Sequence, residues 1–585
     1  MRVKITAALL TALCITSVVS AQNFLTKETR PIVTSGKAKL VGAVPTNAKM
    51  ELNVTLPVQN RAAMLAQLKD IYTPSSPNFH KYISPAQFAA KYNPTQAQYT
   101  AAVNYFKSQG FTVNGGQWLT RNILINGTIA KIQSTFGVKM NNYKDTKTGI
   151  SFFANDRQPT TTLSFPLWSV TGLDNYSNPQ PLLSENPLLK GGKAKSVKSQ
   201  VNTGSGPYGS FLGSDMYYAY GGDLYDWDYT GSGQGIGIWE YYGTNLQDLA
   251  NYYDAAGGTY SQQVYLESTD WSPVACVYTK LDNFCDDTEQ NLDLTQALGM
   301  AADAQAIMYI GTLDSAIFAG IVNDVNNNWY TYGYAYPSVI SISWYWFPTD
   351  VTANDDTLIG LAMNGVTVLA ASGDYGSYFY GYPAEDPYVT AVGGTQLFTD
   401  PSDGDWVSEI TWVDSGGGIA YDYLTIPTWQ QTSGVINNSN GGSTSYRNGP
   451  DVAADAYWNY FTCADLQPCL ANAYGGTSFA SPLWAGYVAD YNQAAIYYNS
   501  PTLGWFTPAT YLQNQSWINA SNYSDYAYYW HDITSGPSNG SYNAVTGYDL
   551  VTGWGSPNYY ADQFFYYDVI DGLDDCFPSW AGCGT

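Results

Sequence analysis

Between Gly233 and Asp374, runs of consecutive apolar residues alternate with amphipathic ones: "GIGIWE", "NLQDLANYYDAAG", "AIMYIG", "AIFAGIVNDV", "SVISISWYW", "TLIGLAMNG" and "VTVLAASGD". A strand that is apolar at every position is covered on both faces, and parallel strands need a crossover long enough to hold a helix. The pattern predicts an α/β fold built on a parallel sheet with helices on both faces. Functional groups in such folds collect beyond the carboxyl ends of the strands. The chain has 585 residues, enough for a second, independent core.

Charge marks where that second unit lies. Residues 1–198 carry 22 Lys and Arg against 7 Asp and Glu, whereas residues 199–585 carry 2, Lys280 and Arg447, against 41. A net +15 beside a net −39 marks a boundary, and it excludes nucleic acid as a partner of the acidic part. Arg2 and Lys4 precede the apolar run "ITAALLTALCITSVV", and "VSA" ends at Ala21. Residues 1–21 therefore read as a signal peptide, and the chain as secreted and extracellular. No later apolar run is long enough to span a bilayer. Residues 22–189 read as a small α+β domain, with a helix in "RAAMLAQLKDIY" (Met64, Leu65, Leu68, Ile71 and Tyr72 at helical spacing) and a strand in "NILING". Residues 190–205, rich in Lys, Gly and Ser, read as an exposed, cleavable connector. The main domain spans 206–557, and 558–585 is a tail with no legible role. Cys14 falls in the signal. The other six cysteines are close neighbours, Cys276 with Cys285, Cys463 with Cys469 and Cys576 with Cys583. In an exported protein this suggests three short-loop disulfides, with free buried thiols as the alternative.

The stretch "YGGTSFASPLWAG" places Ser478 at a helix start, as a nucleophile would be placed. A serine of that kind needs a base, and the chain has 2 histidines. His80 lies in the basic leader, and His531 follows the serine in "YWHDITSG". The base must then be a carboxylate. In "DDTEQNLDLTQALGMAADA", Asp287 and Gln290 suggest a capping box, which puts Glu289 and Asp293 on one flank of the helix that follows. Two carboxylates so placed share a proton in acid; the alternative is an acidic, solvated first turn. Asp374 follows an apolar strand directly, where a protonated carboxyl can donate to an oxyanion; the alternative is a turn aspartate.

Taken in order, these residues resemble the sedolisin, or serine-carboxyl peptidase, family with a kumamolisin-type activation domain. The resemblance runs from about Leu56 to Pro557. It rests on Glu289 and Asp293, "SISW" ending at Trp344, "AASGD" at Asp374, "YPAEDPYVTAVGGT" at Tyr382 to Thr395, "GGTSFASP", "DITSG" at Asp532 and "GYDLVTGWGSP" at Gly547 to Pro557. It implies a subtilisin-like fold, a zymogen whose prodomain inhibits it, and hydrolysis of peptides in acid by Ser478, Glu289 and Asp293, with Asp374 at the oxyanion. Glu240 and Trp344 resemble residues that extend the carboxylate network. The family also implies one structural calcium ion, here held by the side chains of Asp532 and Asp549 and the carbonyls of Ile533, Val545 and Gly547. Calcium suits such oxygen-only ligands. The expected partners are a peptide or protein substrate and the chain's own prodomain, in a monomer.

Two other readings compete. A histidine-dependent hydrolase would bring His531 to Ser478, and a catalytically inactive adhesive or envelope-binding homologue would need none of these groups. The charge contrast further predicts that attraction between leader and main domain holds the prodomain over the cleft at neutral pH.

Overall fold

The computed structural model describes residues 24–189, 196, 204–259, 261–276, 286–327 and 335–570. The signal segment, most of the 190–205 connector, Cys285, Cys576 and Cys583 lie outside them.

The leader is an α+β unit. Four antiparallel strands, Thr112–Gly115, Asn122–Thr128, Lys49–Thr55 and Ser169–Thr171, lie side by side in that order. A second sheet joins Ala38–Ala43, Met140–Asp145 and Ser151–Asn155. Leu52, Val54, Ile123 and Ile125 alternate inward along two central strands and meet Phe106 and Phe136 from the helices Gln96–Ser108 and Ile129–Phe136. The expected helix spans Arg61–Ile71. Its buried residues Met64, Leu68 and Ile71 leave the leader's core and pack, with Phe88 and Tyr92, against Ile359, Ala362 and Met363 of the main domain.

The main domain has the predicted parallel sheet. Its strands are β1 (Gly235–Glu240), β2 (Gln263–Ser268), β3 (Gln305–Ile310), β4 (Pro337–Ile342), β5 (Thr367–Ala371), β6 (Thr390–Thr399), β7 (Trp406–Thr411) and β8 (Val452–Asp455). They lie in the order β2-β3-β1-β4-β5-β6. β6 then pairs in parallel with β8 and antiparallel with β7. Successive side chains on a strand point to opposite faces, and both faces here are apolar. Ile236, Ile238, Met308 and Val339 look into one core, packed on α1 (Leu246–Ala255), α2 (Thr288–Met300) and α5 (Thr477–Tyr497). Trp239, Tyr309, Ile340 and Ile342 look into the other, packed on α3 (Asp314–Asn327) and α4 (Asp355–Met363). Gly486 of α5 lets it approach α2 closely, because a Cβ there would collide with the Ala297 carbonyl and Met300. Residues 558–570 belong to this body: Phe564 and Phe565 pack on Trp484 and Trp530. Among the described residues no helix is long and apolar enough to cross a membrane.

Candidate active site

Glu240 ends β1, Trp344 follows β4, and Asp374 follows β5, so all three stand at the carboxyl edge of the sheet. The packed pair α2 and α5 supplies the rest. Glu289 lies in the first turn of α2 with Asp293 one turn on, and Ser478 is the second residue of α5. The capping box expected at Asp287 does not form. That carboxylate instead accepts from the backbone N–H groups of Asn245 (2.8 Å) and Asp465 (2.8 Å), which ties the helix start to two loops. The Glu289–Asp293 flank is buried rather than solvated.

These side chains form one connected line. The Ser478 hydroxyl donates to the Ser343 carbonyl at 3.2 Å, so neither oxygen of the adjacent Glu289 has a well-formed hydrogen bond. Asp293 Oδ1 accepts from the Ser343 hydroxyl at 2.7 Å, and Glu240 Oε2 accepts from the Trp344 indole N–H at 2.9 Å. Asp293 and Glu240 face each other through their remaining oxygens, a contact that needs a proton between them. Burial raises the proton affinity of every member: Asp293 is pushed up to about 8, and Glu289 lies well above the usual carboxylate range through burial and then the Asp293 charge. Glu240 is raised in the same way, by burial and then by Asp293 and Glu289. The geometry collects an acid chain that holds protons, with a serine at one end.

Asp374 approaches Ser478 from the other side. Its Oδ1 accepts from the backbone N–H and the hydroxyl of Thr477, both at 2.8 Å, while Oδ2 is buried without a partner. Burial raises its pKa well above the usual value, which favours a proton on that free oxygen. Gly476 makes the approach possible. Its φ of +138° suits glycine, and a Cβ would strike Asp374 Oδ2 and the carbonyl of Leu182. Pro482 has no N–H for the Ser478 carbonyl, which accepts from the Ser343 hydroxyl at 3.4 Å instead.

Leu182 belongs to the end of the leader, which crosses this site as an extended strand. Gln180–Pro181 pairs antiparallel with Trp344–Tyr345, and Ser184–Glu185 pairs antiparallel with Tyr474–Gly475. Between the two pairings Leu182 donates its N–H to the Ser343 carbonyl (3.0 Å), and its carbonyl accepts from the Ser478 N–H (3.3 Å). Sequence reasoning missed Ser343, Thr477 and Leu182 as members of the site. The first two stand inside the noted "SISW" and "GGTSFASP" stretches. Leu182 acts through its main chain and leaves no side-chain signal.

Neither histidine belongs here. His531 stacks on Trp406 with centroids 3.7 Å apart, and His80 stacks on Phe79 at 4.0 Å in the contact between leader and main domain. The histidine-dependent reading is therefore set aside.

At the far end of the domain burial raises the proton affinity of both Asp532 and Asp549, and Asp532 lies close enough to Asp549 to raise it further; Asp532 is pushed up to about 6 and Asp549 to about 7. Asp532 accepts from the Gly547 N–H (3.0 Å) and Asp549 from the Val545 N–H (3.2 Å). Among the described residues nothing donates to the carbonyls of Ile533, Val545 and Gly547. Asp532 also accepts from the Tyr523 hydroxyl (2.8 Å) and Asp549 from the Val551 and Thr552 N–H groups (both 2.8 Å), yet no cationic side chain pairs with either among the described residues; oxygen donors of this kind suit calcium chemically. Cys463 and Cys469 form a disulfide, and Cys276 is also disulfide-bonded, its expected partner Cys285 lying outside the described residues.

Comparison with known proteins agrees with this architecture. Residues 36–174 match the family model described as Pro-kumamolisin, activation domain. The chain is 27% identical over 512 residues to kumamolisin of Bacillus sp. (strain MN-32), covering 82% of this chain and 85% of that protein. It is 26% identical over 585 residues to sedolisin of Pseudomonas sp. (strain 101), covering 90% of each. A shorter match, 29% over 231 residues, covers 34% of this chain and 37% of tripeptidyl-peptidase 1 of Mus musculus. With an activation-domain match ahead of a parallel-sheet body, and relatives that match it along most of its length, the chain is similar to the sedolisin family of serine-type peptidases.

Proposed function

We propose that the chain is the zymogen of a secreted, acid-active serine-carboxyl peptidase that hydrolyses peptide bonds with Ser478, Glu289 and Asp293 and first processes itself. One observation carries the reading: the leader presents the Leu182 carbonyl to the Ser478 N–H while the Leu182 N–H is held by Ser343. Attack on the Leu182 carbonyl needs its oxygen on a backbone donor at a helix start, beside the serine, and this contact supplies that donor.

The chemistry follows from the same contacts. The Ser478 hydroxyl turns from the Ser343 carbonyl to the Leu182 carbonyl carbon and gives its proton to Glu289. The oxyanion is met by the Ser478 N–H and by the protonated Oδ2 of Asp374. Collapse of the tetrahedral adduct breaks the Leu182–Leu183 bond. Glu289 returns the proton to the departing amine of Leu183, and water then repeats the cycle on the acyl-serine. Asp293, anchored by Ser343 and sharing a proton with Glu240, orients Glu289; Trp344 anchors Glu240. Glu289 has to be ionised and Asp374 protonated in the same molecule; the second condition fails as pH rises through the raised pKa of Asp374, which removes activity at high pH. Calcium at Asp532 and Asp549, with the Ile533, Val545 and Gly547 carbonyls, would cross-link the loops of the carboxyl end. Secretion rests on the signal pattern of residues 1–21 and on the Cys463–Cys469 disulfide. No observation favours an inactive binding homologue.

The test is hydrolysis of a denatured protein at pH 3–5 by the wild type and by Ser478→Ala, Glu289→Gln, Asp293→Asn and His531→Ala. The first three should lose activity, the serine variant on the order of 10⁶-fold, and His531→Ala should retain it. Full activity in Glu289→Gln, or loss confined to His531→Ala in a folded protein, would overturn the reading. Chelation should lower the melting temperature of the mature protein; an unchanged melting curve after verified metal removal would refute the calcium site.

A further inference from the structure

Resting on that reading of Ser478 and its partners, we infer that this peptidase is an endopeptidase that cuts within extended segments after a large aliphatic residue, with Trp458 selecting a hydroxyl two positions beyond the cut. The strand in the cleft serves as the site's own record of what it accepts. Ten residues, Ser177 to Asn186, are held across it.

On the amino side the held chain continues well past the third residue from the bond, Gln180. The Phe347 N–H donates to the Ser177 hydroxyl at 2.8 Å, three residues further out. Both Gln180 and Asn178 are exposed to solvent. Gln180 pairs with Tyr345 and its side-chain amide bonds to the Asn178 and Pro179 carbonyls, and among the described residues no carboxylate bonds to it as a partner for a free α-amine would. A peptidase that releases tripeptides has to stop the substrate at that position and recognise its terminus. This cleft lets the chain run through.

On the carboxyl side four residues are fixed. The Ser184–Glu185 segment pairs with Tyr474–Gly475. Asn186 is bonded at both its N–H (to the Ala473 carbonyl, 2.8 Å) and its side-chain amide (to the Asn472 carbonyl, 2.8 Å). The contact that reads a side chain is the Trp458 indole N–H, which donates to the Ser184 hydroxyl at 3.0 Å. Trp458 is packed at right angles to Trp412, so its donor is fixed in direction. Leu182 is 1% exposed, so the residue before the bond is enclosed, and Leu183 packs on the apolar core. A buried indole N–H left facing a residue without an acceptor would lose a hydrogen bond, worth roughly two- to tenfold in affinity.

The experiment uses the mature enzyme in acid with three peptides: acetyl-SNPQPLLSEN-amide, the free-amine QPLLSEN-amide, and acetyl-SNPQPLLAEN-amide. The inference predicts a single cut between the leucines in the acetylated decapeptide, with kcat/KM at least equal to that of the free-amine peptide. The alanine peptide should be slower by roughly two- to tenfold, and Trp458→Phe should erase that difference. Cleavage of the free-amine peptide alone, releasing Gln-Pro-Leu, would overturn the endopeptidase assignment. Equal loss on the serine and alanine peptides in Trp458→Phe would overturn the role of Trp458. Hydrolysis of denatured protein without cleavage of any of the three peptides would overturn the register read from the strand. No hydrolysis of any substrate would instead refute the proposed function itself.

Discussion

The leader grips the main domain at two places by different means. Its body uses side chains: Met64, Leu68, Ile71, Phe88 and Tyr92 pack on Ile359, Ala362 and Met363, and Arg61 pairs with Asp355 (3.0 Å) and Asp356 (2.7 Å). Its terminal strand is held chiefly through the main chain, at Leu182 by Ser343 and Ser478 and in two short strand pairings, with single hydrogen bonds added at the side chains of Ser177, Ser184 and Asn186. A side-chain contact suits one partner, whereas a main-chain contact is open to any extended peptide. On the proposed function, the first suits an inhibitor and the second a substrate. The contrast also corrects the charge account. Arg30 and Arg157 pair with Asp174 and Asp156 of the leader itself, so among the described ion pairs only those of Arg61 cross the interface. A leader of net +13 over residues 22–198 is steered toward an acidic partner, but apolar packing and hydrogen bonds hold it.

The largest expected effect separates the two grips at the strand. Leu182→Pro removes the N–H held by Ser343 and misplaces the bond, so self-processing should slow by about 10²-fold or more, while binding of the leader in trans changes little. Processing followed by gel at acid pH checks the first half, and inhibition by the added variant leader checks the second. A parallel fall in both would merge the two grips into one.

Leu68→Ala attacks the body instead. Loss of a buried leucine costs about 2–5 kcal/mol when the cavity stays open, part of it borne by the leader's own fold. Affinity in trans should fall by roughly ten- to hundredfold, with the identity of the processed bond unchanged.

His80 links the body to pH. It is buried against Trp505 and Pro508, with Asp568 lining the same cavity and Tyr72 and Tyr82 beside it. Burial lowers its pKa from 6.5 to about 4, against a smaller raising effect at Ile570. Docking thus favours the neutral ring. The affinity contributed is full above 6.5 and is lost as pH falls toward 4, by up to about tenfold per unit. His80→Phe should flatten that part of the pH dependence of leader binding; an identical slope would remove the histidine from the account.

The smallest effect belongs to Arg61, whose side chain is 37% exposed. Arg61→Ala should weaken binding by no more than a few-fold, with slight dependence on salt, as exposed pairs are worth about 1 kcal/mol or less. A steep salt dependence of equilibrium affinity would restore charge as the holding force.

Much of this was legible because local pattern and tertiary role coincide. Fully apolar runs became strands covered on both faces, and Glu289 and Asp293 fell on one flank because they lie one helical turn apart. What escaped depends on distant partners. Asp287 reads locally as a cap, yet its carboxylate serves Asn245 and Asp465. The helical face of Met64 and Leu68 is visible in sequence, but not that it covers Ile359 rather than the leader's own core. Leu182 was invisible because backbone recognition imposes no residue pattern, so the lysine-rich connector stood out as the cleavable segment instead.

That last contrast sets the decisive measurement. Purified precursor, acidified and sampled by intact mass and N-terminal sequencing, should show its earliest cut between Leu182 and Leu183, at a rate independent of concentration and absent in Ser478→Ala. An earliest cut within residues 190–205, with the Leu182–Leu183 bond still intact, would contradict the claim that the leader lies in the site as its first substrate.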